Sequence, residues 1–171
     1  MKKFYEILES AAVSVITLTL VILFVCRFIV VDGGSMDNTL HHGERLIISN
    51  FMYTPEKGDI VVTDSNNLFN RPIIKRVIAT EGDIIAIDYN TGDVYVNGLL
   101  LQENYIKEKI IATGGGVYQI QMGDNQLFLM GDNRNASSDS RVREIGPVNE
   151  KDILGRVILR VSPISKFGKV N

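Results

Sequence analysis

The sequence predicts a mostly β protein, in which a single N-terminal transmembrane helix precedes an antiparallel β-sheet or barrel-like domain. One observation is an apolar stretch near the N-terminus, and the other is a series of short β-branched runs in the rest of the chain. We expect residues 1–32 to form a short cytoplasmic N-terminus and a membrane anchor. Residues 33–171 should form an extracytoplasmic β-rich domain, in which about residues 84–125 make a small inserted or cap region.

The anchor prediction rests on residues 11–26, which contain no charged side chain, and on the apolar FIVV that follows Arg27. As one helix, residues 11–31 would extend about 31 Å, which is enough to cross the hydrocarbon core of a bilayer. Lys2 and Lys3 precede the stretch and favour a cytoplasmic N-terminus.

Two other interpretations of this stretch are weaker. A cleavable secretory signal has a shorter apolar core and a small-residue cleavage site, and the VVDGGS that follows here lacks that site. A core helix of a soluble protein carries a polar stripe, whereas the polar residues here are Ser14, Thr17 and Thr19, whose hydroxyls can bond the helix's own carbonyls. An uncleaved, single-pass anchor in the cell membrane is therefore favoured.

The body of the chain is predicted to be strands, because its β-branched runs are short and are bounded by Gly, Asp, Asn or Pro. Asn90–Asp93 is predicted to be a hairpin turn. Residues 99–116, which end in three glycines, should be a surface excursion with at most a short helical turn at 103–110. Strands are predicted at residues 45–51, 59–64, 72–80, 83–88, 94–98, 117–122, 125–132 and 155–162.

Composition argues against several classes of function. The net charge of −2 and the pI near 5.7 give no electrostatic basis for binding nucleic acid. The single cysteine, Cys26, excludes an intrachain disulfide and is expected to be a small buried hydrophobe. Two adjacent histidines and one cysteine do not make an ordinary zinc site, and no acidic cluster has calcium-loop spacing. We therefore expect neither a metal nor another cofactor.

Three segments concentrate reactive side chains. Paired glycines precede Ser35 and allow the close backbone approach that an attacked peptide requires. Lys75 lies in a predicted strand with two apolar faces, and burial would lower its pKa. Residues 131–141 carry two Asp, two Arg and three Ser, a density that suits a fixed polar network. Taken singly, each also fits an ordinary interpretation: a linker, a solvated lysine or a surface loop.

A Ser-His-Asp triad is the alternative serine machinery, and His41 and His42 follow Ser35 closely. The sequence indicates no acidic partner for either histidine. We therefore expect both to be surface or turn residues.

Taken together and in this order, the segments resemble bacterial type I signal peptidases, in particular the Gram-positive-type members of this Ser/Lys family. With the anchor, the resemblance covers residues 33–162. The motifs that carry it are Ser35-Met36-x-x-Thr39-Leu40, Gly58-Asp59-Ile60-Val61-Val62, Lys75-Arg76-Val77-Ile78 with Gly82-Asp83, and Gly131-Asp132-Asn133-Arg134 with Ser137, Asp139, Ser140 and Arg141.

The resemblance implies a membrane-bound serine endopeptidase with a catalytic domain of the signal peptidase type. Ser35 would be the nucleophile and Lys75 the general base, and Ser137 would hydrogen-bond the Lys75 amine and orient it. The Ser35 N–H would be one oxyanion donor, while the position that supplies a second donor in some members is Gly33. The residues implied to hold the site's framework are Asp139, Arg141, Asp132 and Arg76.

The implied substrates are exported preproteins, cut after small residues at the first and third positions before the scissile bond. The resemblance also implies that the substrate binds as an added β-strand. The lipid bilayer is the other expected partner, and neither nucleic acid nor metal is expected. By position, the residues implied to line the substrate pockets are Ile29, Val31, Met36, Leu40 and Ile74.

Three positions depart from the family pattern. Asn38 stands where proline is usual, and Ala79 and Glu81 stand where glycine and proline are expected. The loss of proline removes rigidity from the turn after Ser35. The alternative function is therefore a catalytically weak or specialised membrane-tethered β-module that assists assembly of surface proteins, although Ser35 and Lys75 are both retained. A self-cleaving regulator of the phage-repressor type is disfavoured, because the anchor occupies the place of its DNA-binding domain.

Overall fold

The computed structural model describes residues 2–64 and 70–170, apart from the side chains of residues 21–24. The chain begins with helix α1, Lys2–Val25. The hydroxyls of Ser14 and Thr19 donate to carbonyls four residues earlier, at 2.8 Å each. The apolar side chains described in its second half are exposed: Val13, Val15, Ile16, Leu18 and Leu20.

Strand β1, Cys26–Val30, corrects the sequence prediction that the apolar stretch continues as helix through FIVV. It pairs antiparallel with β2, and Ile29 lies opposite the buried Leu46. The strand forms because three consecutive β-favouring residues, Phe28 to Val30, find a partner strand for their backbone groups. No helix within the described ranges meets the length and hydropathy that a membrane-spanning segment requires. The predicted anchor also included residues 21–24, whose side chains lie outside the description.

The strands and 3₁₀ turns that follow confirm the mostly β prediction. In chain order the strands are β1 Cys26–Val30, β2 Arg45–Ser49, β3 Ile60–Thr63, β4 Ile74–Ala79, β5 Ile84–Asp88, β6 Asp93–Val96, β7 Leu99–Leu100, β8 Val117–Gln121, β9 Gln126–Met130, β10 Val148–Asn149 and β11 Ile153–Ser162. The short 3₁₀ turns are Arg134–Ala136, Glu150–Asp152 and Ile164–Lys166. Residues 103–110, which the structure describes, form no helix, so the short helical turn considered there is absent. The short strands β7 and β10 were not predicted from the sequence.

Two antiparallel sheets form among the described residues. The larger follows the order β1-β2-β11-β3-β4-β9-β10, and the smaller follows β7-β6-β5-β8. Both orders are open, so the sheet-like alternative applies and not a closed barrel. Strand β11 joins the two halves of the large sheet, because its C-terminal part pairs with β2 and its N-terminal part with β3.

The small sheet contains the predicted hairpin, in which Asp88 at the end of β5 pairs with Asp93 at the start of β6. A second hairpin joins β6 to β7 through Asn97 and Gly98, which have φ of 54° and 77°. Two successive positive φ angles are what a type I′ turn needs, and Asn-Gly supplies them at the lowest cost.

Buried apolar clusters hold the two sheets together and support the site. The small sheet contributes Ile85, Ile87 and Val94 to a cluster with Phe128 and Met130 of β9. A second cluster lies beneath the segment that follows β1, and its members are Val31, Met36, Leu40, Leu46, Ile48, Ile60, Val62, Ile74 and Val157. Each fully buried aliphatic side chain stabilises the fold by about 1.5–3 kcal/mol, so this segment is firmly seated.

Candidate active site

Ser35 lies in a tight turn between β1 and β2. The N–H groups of Thr39 and Leu40 both donate to the Met36 carbonyl, at 3.0 and 2.8 Å, and close the turn. Met36 and Leu40 are almost fully buried. Because these two side chains fix the turn to the core, Ser35 is held at the surface of a cleft.

Lys75 reaches Ser35 from β4. Its Nζ donates to Ser35 Oγ at 2.8 Å and to the Ile74 carbonyl at 3.0 Å. The Lys75 side chain is 3% exposed, so the strand does carry this cation into apolar surroundings, as its two apolar faces predicted. The serine hydroxyl and the lysine amine, distant in sequence, are therefore within proton-transfer distance.

Burial is the main cause of a lowered pKa for Lys75, which falls from 10.5 to about 8. The carboxylate of Asp139 opposes this shift, whereas the positive charges of Arg141 and Arg71 add to it. Desolvation disfavours an ammonium ion, and nearby cations disfavour it further. Lys75 is then still mostly protonated at pH 7, but about a tenth of it is neutral, far more than for an ordinary lysine, and only the neutral amine can accept a proton.

Arg76 and Asp132 form a buried ion pair beside Lys75. The guanidinium donates through Nε and Nη2 to the two carboxylate oxygens, at 2.9 and 2.7 Å. Arg76 also donates to the Gly58 carbonyl at 2.7 Å, and Thr39 Oγ1 donates to Asp132 Oδ2. Such a bidentate ion pair is a strong form of side-chain hydrogen bonding, and together with the Thr39 bond it ties β4 and the loop after β9 to the turn that carries Ser35.

A second ion pair, Asp139 with Arg141, fixes the loop that follows β9. Arg141 donates to both Asp139 oxygens at 2.7 and 2.8 Å, and Gly131 N–H donates to Oδ2 at 2.9 Å. Burial alone would raise the pKa of Asp139, but the hydrogen bonds and charge of Arg141 hold that pKa below its usual value. Asp139 is therefore ionised and supplies a fixed negative charge near Lys75.

Ser137 does not contact Lys75 in the way the resemblance implied. Its hydroxyl donates to Asp139 Oδ2 at 2.7 Å, and the amine of Lys75 instead donates to Ser35 and to the Ile74 carbonyl. Asp139 attracts the hydroxyl because an ionised carboxylate is a better acceptor than an amine that is largely protonated. The direct hydrogen bond expected between Ser137 and Lys75 is therefore absent from this described pair.

The loop after β9 closely approaches the turn that carries Ser35. A Cβ added to Gly131 would lie 2.4 Å from the Ser35 carbonyl oxygen and 2.3 Å from Ser137 Oγ. Asn133 donates to this turn through both its backbone and its side chain, to the carbonyls of Ser35 and Gly34. The absence of a side chain at Gly131 is what allows the two segments to touch.

A cleft of about 280 Å³ opens at Ser35 and Lys75, between the end of β1 and the start of β4. Four of the five residues expected in the substrate pockets line it: Ile29, Val31, Met36 and Ile74. Leu40 is an exception and does not line this cleft. The turn closed on Met36 directs Leu40 into the core, where its side chain is fully buried.

The two histidines lie on the outer side of the turn. His42 Nδ1 accepts from Gly33 N–H at 3.2 Å, and His41 Nδ1 lies 3.5 Å from Glu44. The Ser35 hydroxyl is hydrogen-bonded to the Lys75 amine and to neither histidine, so the described residues form no Ser-His-Asp triad.

The surface excursion covers the site's framework, a role that sequence reasoning missed. The Tyr105 ring lies 4.1 Å from the Arg76 guanidinium, and Glu103 forms a buried ion pair with Arg134. The Lys107 N–H donates to the Asp132 carbonyl at 3.1 Å. The only sequence signal for this arrangement was the presence of polar and aromatic residues, Glu103 and Tyr105, within an otherwise ordinary loop.

Comparison with known proteins places this geometry in a family. The family described as signal peptidase, peptidase S26, matches residues 4–162 of the chain. The chain belongs to the signal peptidase family. A probable signal peptidase I-2 from Synechocystis sp. is 36% identical over 153 residues, covering 85% of this chain and 67% of that protein.

Other signal peptidases are similar over nearly their whole length. Signal peptidase IB from Staphylococcus aureus is 32% identical over 184 residues, covering 97% of this chain and 93% of that protein. A crystal structure of a signal peptidase I from Enterococcus faecalis covers 61% of this chain and 97% of that chain, with a TM-score of 0.49 and 22% identity.

Membership of this family makes the chain a serine endopeptidase that removes signal peptides. The alternative interpretation, a silent β-module that assists assembly, is not favoured. Within the described ranges, no group of three or more His, Cys, Asp or Glu side chains is placed to hold a metal ion.

Asn38 distinguishes the turn that carries Ser35 from the turn that the family pattern implies. Its φ is 79°, a left-handed value that asparagine tolerates and that proline, fixed near −65°, does not reach. Its Nδ2 donates to the Tyr105 carbonyl at 3.4 Å. The turn therefore adopts a conformation that proline could not reach, and besides the two bonds to the Met36 carbonyl it gains one contact with the excursion.

Replacing Asn38 with proline is expected to lower kcat/KM by about 10- to 100-fold, because forcing φ of residue 38 to a negative value distorts the turn and displaces Ser35. Asn38→Gly is the matched control, since glycine adopts positive φ freely and should stay within about threefold of the parent. Steady-state cleavage assays would measure both. A proline variant as active as the parent would contradict the remodelled turn.

Proposed function

We propose that Ser35 is the nucleophile of this signal peptidase and that Lys75 is its general base. The single observation that carries this assignment is the 2.8 Å separation of Lys75 Nζ and Ser35 Oγ at the cleft. The lowered pKa of Lys75 supports its role as base, because only a neutral amine accepts a proton.

In the proposed reaction, Lys75 Nζ takes the Ser35 hydroxyl proton as Oγ attacks the scissile carbonyl carbon. The Ser35 N–H stabilises the resulting oxyanion. The C–N bond then breaks as the Lys75 ammonium gives its proton to the leaving amine, which leaves an ester on Ser35. Water, deprotonated by Lys75, hydrolyses this ester and regenerates both groups.

The remaining site residues are proposed to act as a framework. Asp132 and Arg76 fix β4 and the nucleophile turn, and Asp139 and Arg141 fix the loop that carries Ser137. We propose that Ser137 acts on Lys75 indirectly, by holding the Asp139 carboxylate whose charge raises the pKa of Lys75.

The substrate is proposed to be an exported preprotein, bound in an extended conformation along the end of β1. Ile29, Val31, Met36 and Ile74 give the cleft an apolar lining, which suits small uncharged side chains before the scissile bond. An extended chain beside an edge strand such as β1 gains backbone hydrogen bonds whatever its sequence.

Helix α1 is proposed to anchor the enzyme in the cell membrane by a single pass, with a cytoplasmic N-terminus and with the anchor ending where β1 begins at Cys26. The exposed apolar side chains of α1 and the absence of charge from residues 11–26 support this. Residues 33–171, including the inserted region near 84–125, would then lie outside the cytoplasm, with Ser35 close to the membrane surface. Enzyme and substrate helices confined to one plane meet at a raised effective concentration.

The deciding experiment is cleavage of a purified preprotein by the detergent-solubilised full chain, compared with Ser35→Ala. The parent is expected to release the mature protein, and Ser35→Ala should fall by about 10⁴-fold or more, because removal of a nucleophile leaves only binding and oxyanion stabilisation. Mass spectrometry of the products would locate the cut. Residual cleavage by Ser35→Ala at the parent rate would contradict the assignment.

The pH dependence follows from the lowered pKa of Lys75. A base must be neutral to act, so kcat/KM is expected to rise with pH to a midpoint near 8 and to level off above it. The charge of Asp139 raises the pKa of Lys75, so Asp139→Asn should move the midpoint to lower pH. Rate measurements between mildly acidic and alkaline pH would test this, and a flat profile would contradict Lys75 as the base.

A further inference from the structure

Asn133 joins the turn that carries Ser35 to the loop after β9. Its side chain is 6% exposed. Its Nδ2 donates to the Gly34 carbonyl at 2.9 Å, and its backbone N–H donates to the Ser35 carbonyl at 3.0 Å. One residue therefore binds the carbonyls on both sides of the proposed nucleophile.

The hydrogen bond to the Gly34 carbonyl also restrains the Ser35 N–H of the same peptide unit. The Gly34 C=O and the Ser35 N–H belong to one planar peptide unit and, when it is trans, point in opposite directions. Fixing the carbonyl therefore fixes the direction of the Ser35 N–H. Within the described part of the chain, this N–H has no hydrogen-bond partner, which suits a donor kept for substrate.

The local sequence makes such a restraint necessary. The peptide follows two glycines, and glycine allows backbone rotations that other residues resist. A coupled rotation about Gly34 and Ser35 would turn the N–H away without moving the serine side chain far. The Asp37 N–H also donates to Gly34 O, at 3.1 Å, but it belongs to the same turn and would move with it.

The loop that carries Asn133 is itself rigid. The neighbouring Asp132 is held by the bidentate ion pair with Arg76, and Arg134 is buried on the other side. Asn133 thus connects the Gly34–Ser35 peptide to the large sheet and holds it in a fixed position relative to that sheet.

We infer that Asn133 is a positioning residue that orients the Gly34–Ser35 peptide so that the Ser35 N–H faces the developing oxyanion. The inference rests on the proposed function, because it assumes that Ser35 is the nucleophile. An oxyanion donor acts mainly in the transition state, so the loss of its orientation lowers kcat more than it alters KM.

The test measures kcat, KM and the pH profile of preprotein cleavage for Asn133→Asp and Asn133→Ser, neither of which can donate to the Gly34 carbonyl as the amide does. Both variants are expected to lose about 10- to 100-fold in kcat. We expect KM to change less than about threefold in both variants. The pH midpoint should stay in place in Asn133→Ser, which adds no charge, whereas the new carboxylate of Asn133→Asp can raise the pKa of Lys75 as Asp139 does.

Asn135→Ala is the matched control. Asn135 lies in the same loop and makes an equivalent bond, from Nδ2 to the Lys109 carbonyl at 3.0 Å, but it is exposed and its hydrogen bonds go to the excursion, at Lys109 and Ile111. Its kcat should stay within about twofold of the parent. Rates are normalised to the folded fraction measured by circular dichroism, so that a purely structural loss is removed.

Several outcomes would overturn the inference: unchanged kcat in both Asn133 variants, a loss confined to KM, a shifted pH midpoint in the uncharged Asn133→Ser, or an equal loss in Asn135→Ala. The proposed function fails separately, if the parent does not cleave or if Ser35→Ala cleaves as well as the parent. An active parent with a silent Ser35→Ala and an unaffected Asn133→Asp would overturn this inference alone.

Discussion

Replacing Lys75 with methionine is expected to abolish preprotein cleavage while raising the free energy of unfolding at pH 7. The loss of the general base should lower kcat/KM by about 10⁴-fold or more. Ser35 and Lys75 act as one unit, so removing either group removes the same catalytic step. The gain in stability follows from the lowered pKa. The pKa of Lys75 is about 8 in the folded state against 10.5 for an ordinary, solvated lysine, so the unfolded state binds more protons between these pH values.

Stability therefore increases with pH from about 8 to 10.5, and below pH 8 the buried ammonium imposes its full cost. That cost is about 3 kcal/mol, from 1.36 kcal/mol per pKa unit. Methionine has similar length and no charge, so Lys75→Met should recover part of it. Thermal unfolding at pH 7 would measure a Tm above that of the parent by several degrees, at about 2–4 °C per kcal/mol.

Lys75→Arg is the control, because it keeps the positive charge and cannot act as a base. It should be as inactive as Lys75→Met but less stable than the parent, since a bulkier permanent cation is placed in the same apolar site. Activity in either variant, or a Tm for Lys75→Met well below that of the parent, would contradict a buried catalytic lysine.

Replacing Asp132 with alanine is expected to cause the largest loss of stability of the changes considered. Asp132 is fully buried and supplies the carboxylate that neutralises the Arg76 guanidinium. Breaking a buried ion pair from one side costs about 3–5 kcal/mol, because the remaining charge stays desolvated. Thermal unfolding should show Tm lower by about 10 °C, and cleavage should also fall, since Thr39 in the nucleophile turn loses its acceptor.

Lys109→Ala gives the comparison for an exposed pair. Lys109 contacts Asp93 at 2.6 Å, but its side chain is 66% exposed. Solvated ion pairs contribute about 0–1 kcal/mol, so this variant should unfold within about 3 °C of the parent. Equal Tm values for Asp132→Ala and Lys109→Ala would show that the buried pair does not stabilise the framework as described.

The sequence by itself determined the class of fold, the position of most strands and the family. Short β-branched runs bounded by turn residues identify strands because both signals are local: side-chain shape sets the strand preference, and Gly or Asn sets the turn. The order of Ser35, Lys75 and the 131–141 segment along the chain was sufficient for the resemblance, although no residue alone was diagnostic.

Only the tertiary structure decided where the helix ends and which polar groups meet. Residues 26–30 are apolar enough to extend a helix, but pairing with β2 gives their backbone groups partners that lie 15 or more residues away in the sequence. Ser137 bonds Asp139 and not Lys75, Leu40 faces the core, and Asn38 adopts a positive φ against the excursion. Local sequence does not settle these outcomes, because each depends on how the folded chain places a group among both near and distant neighbours.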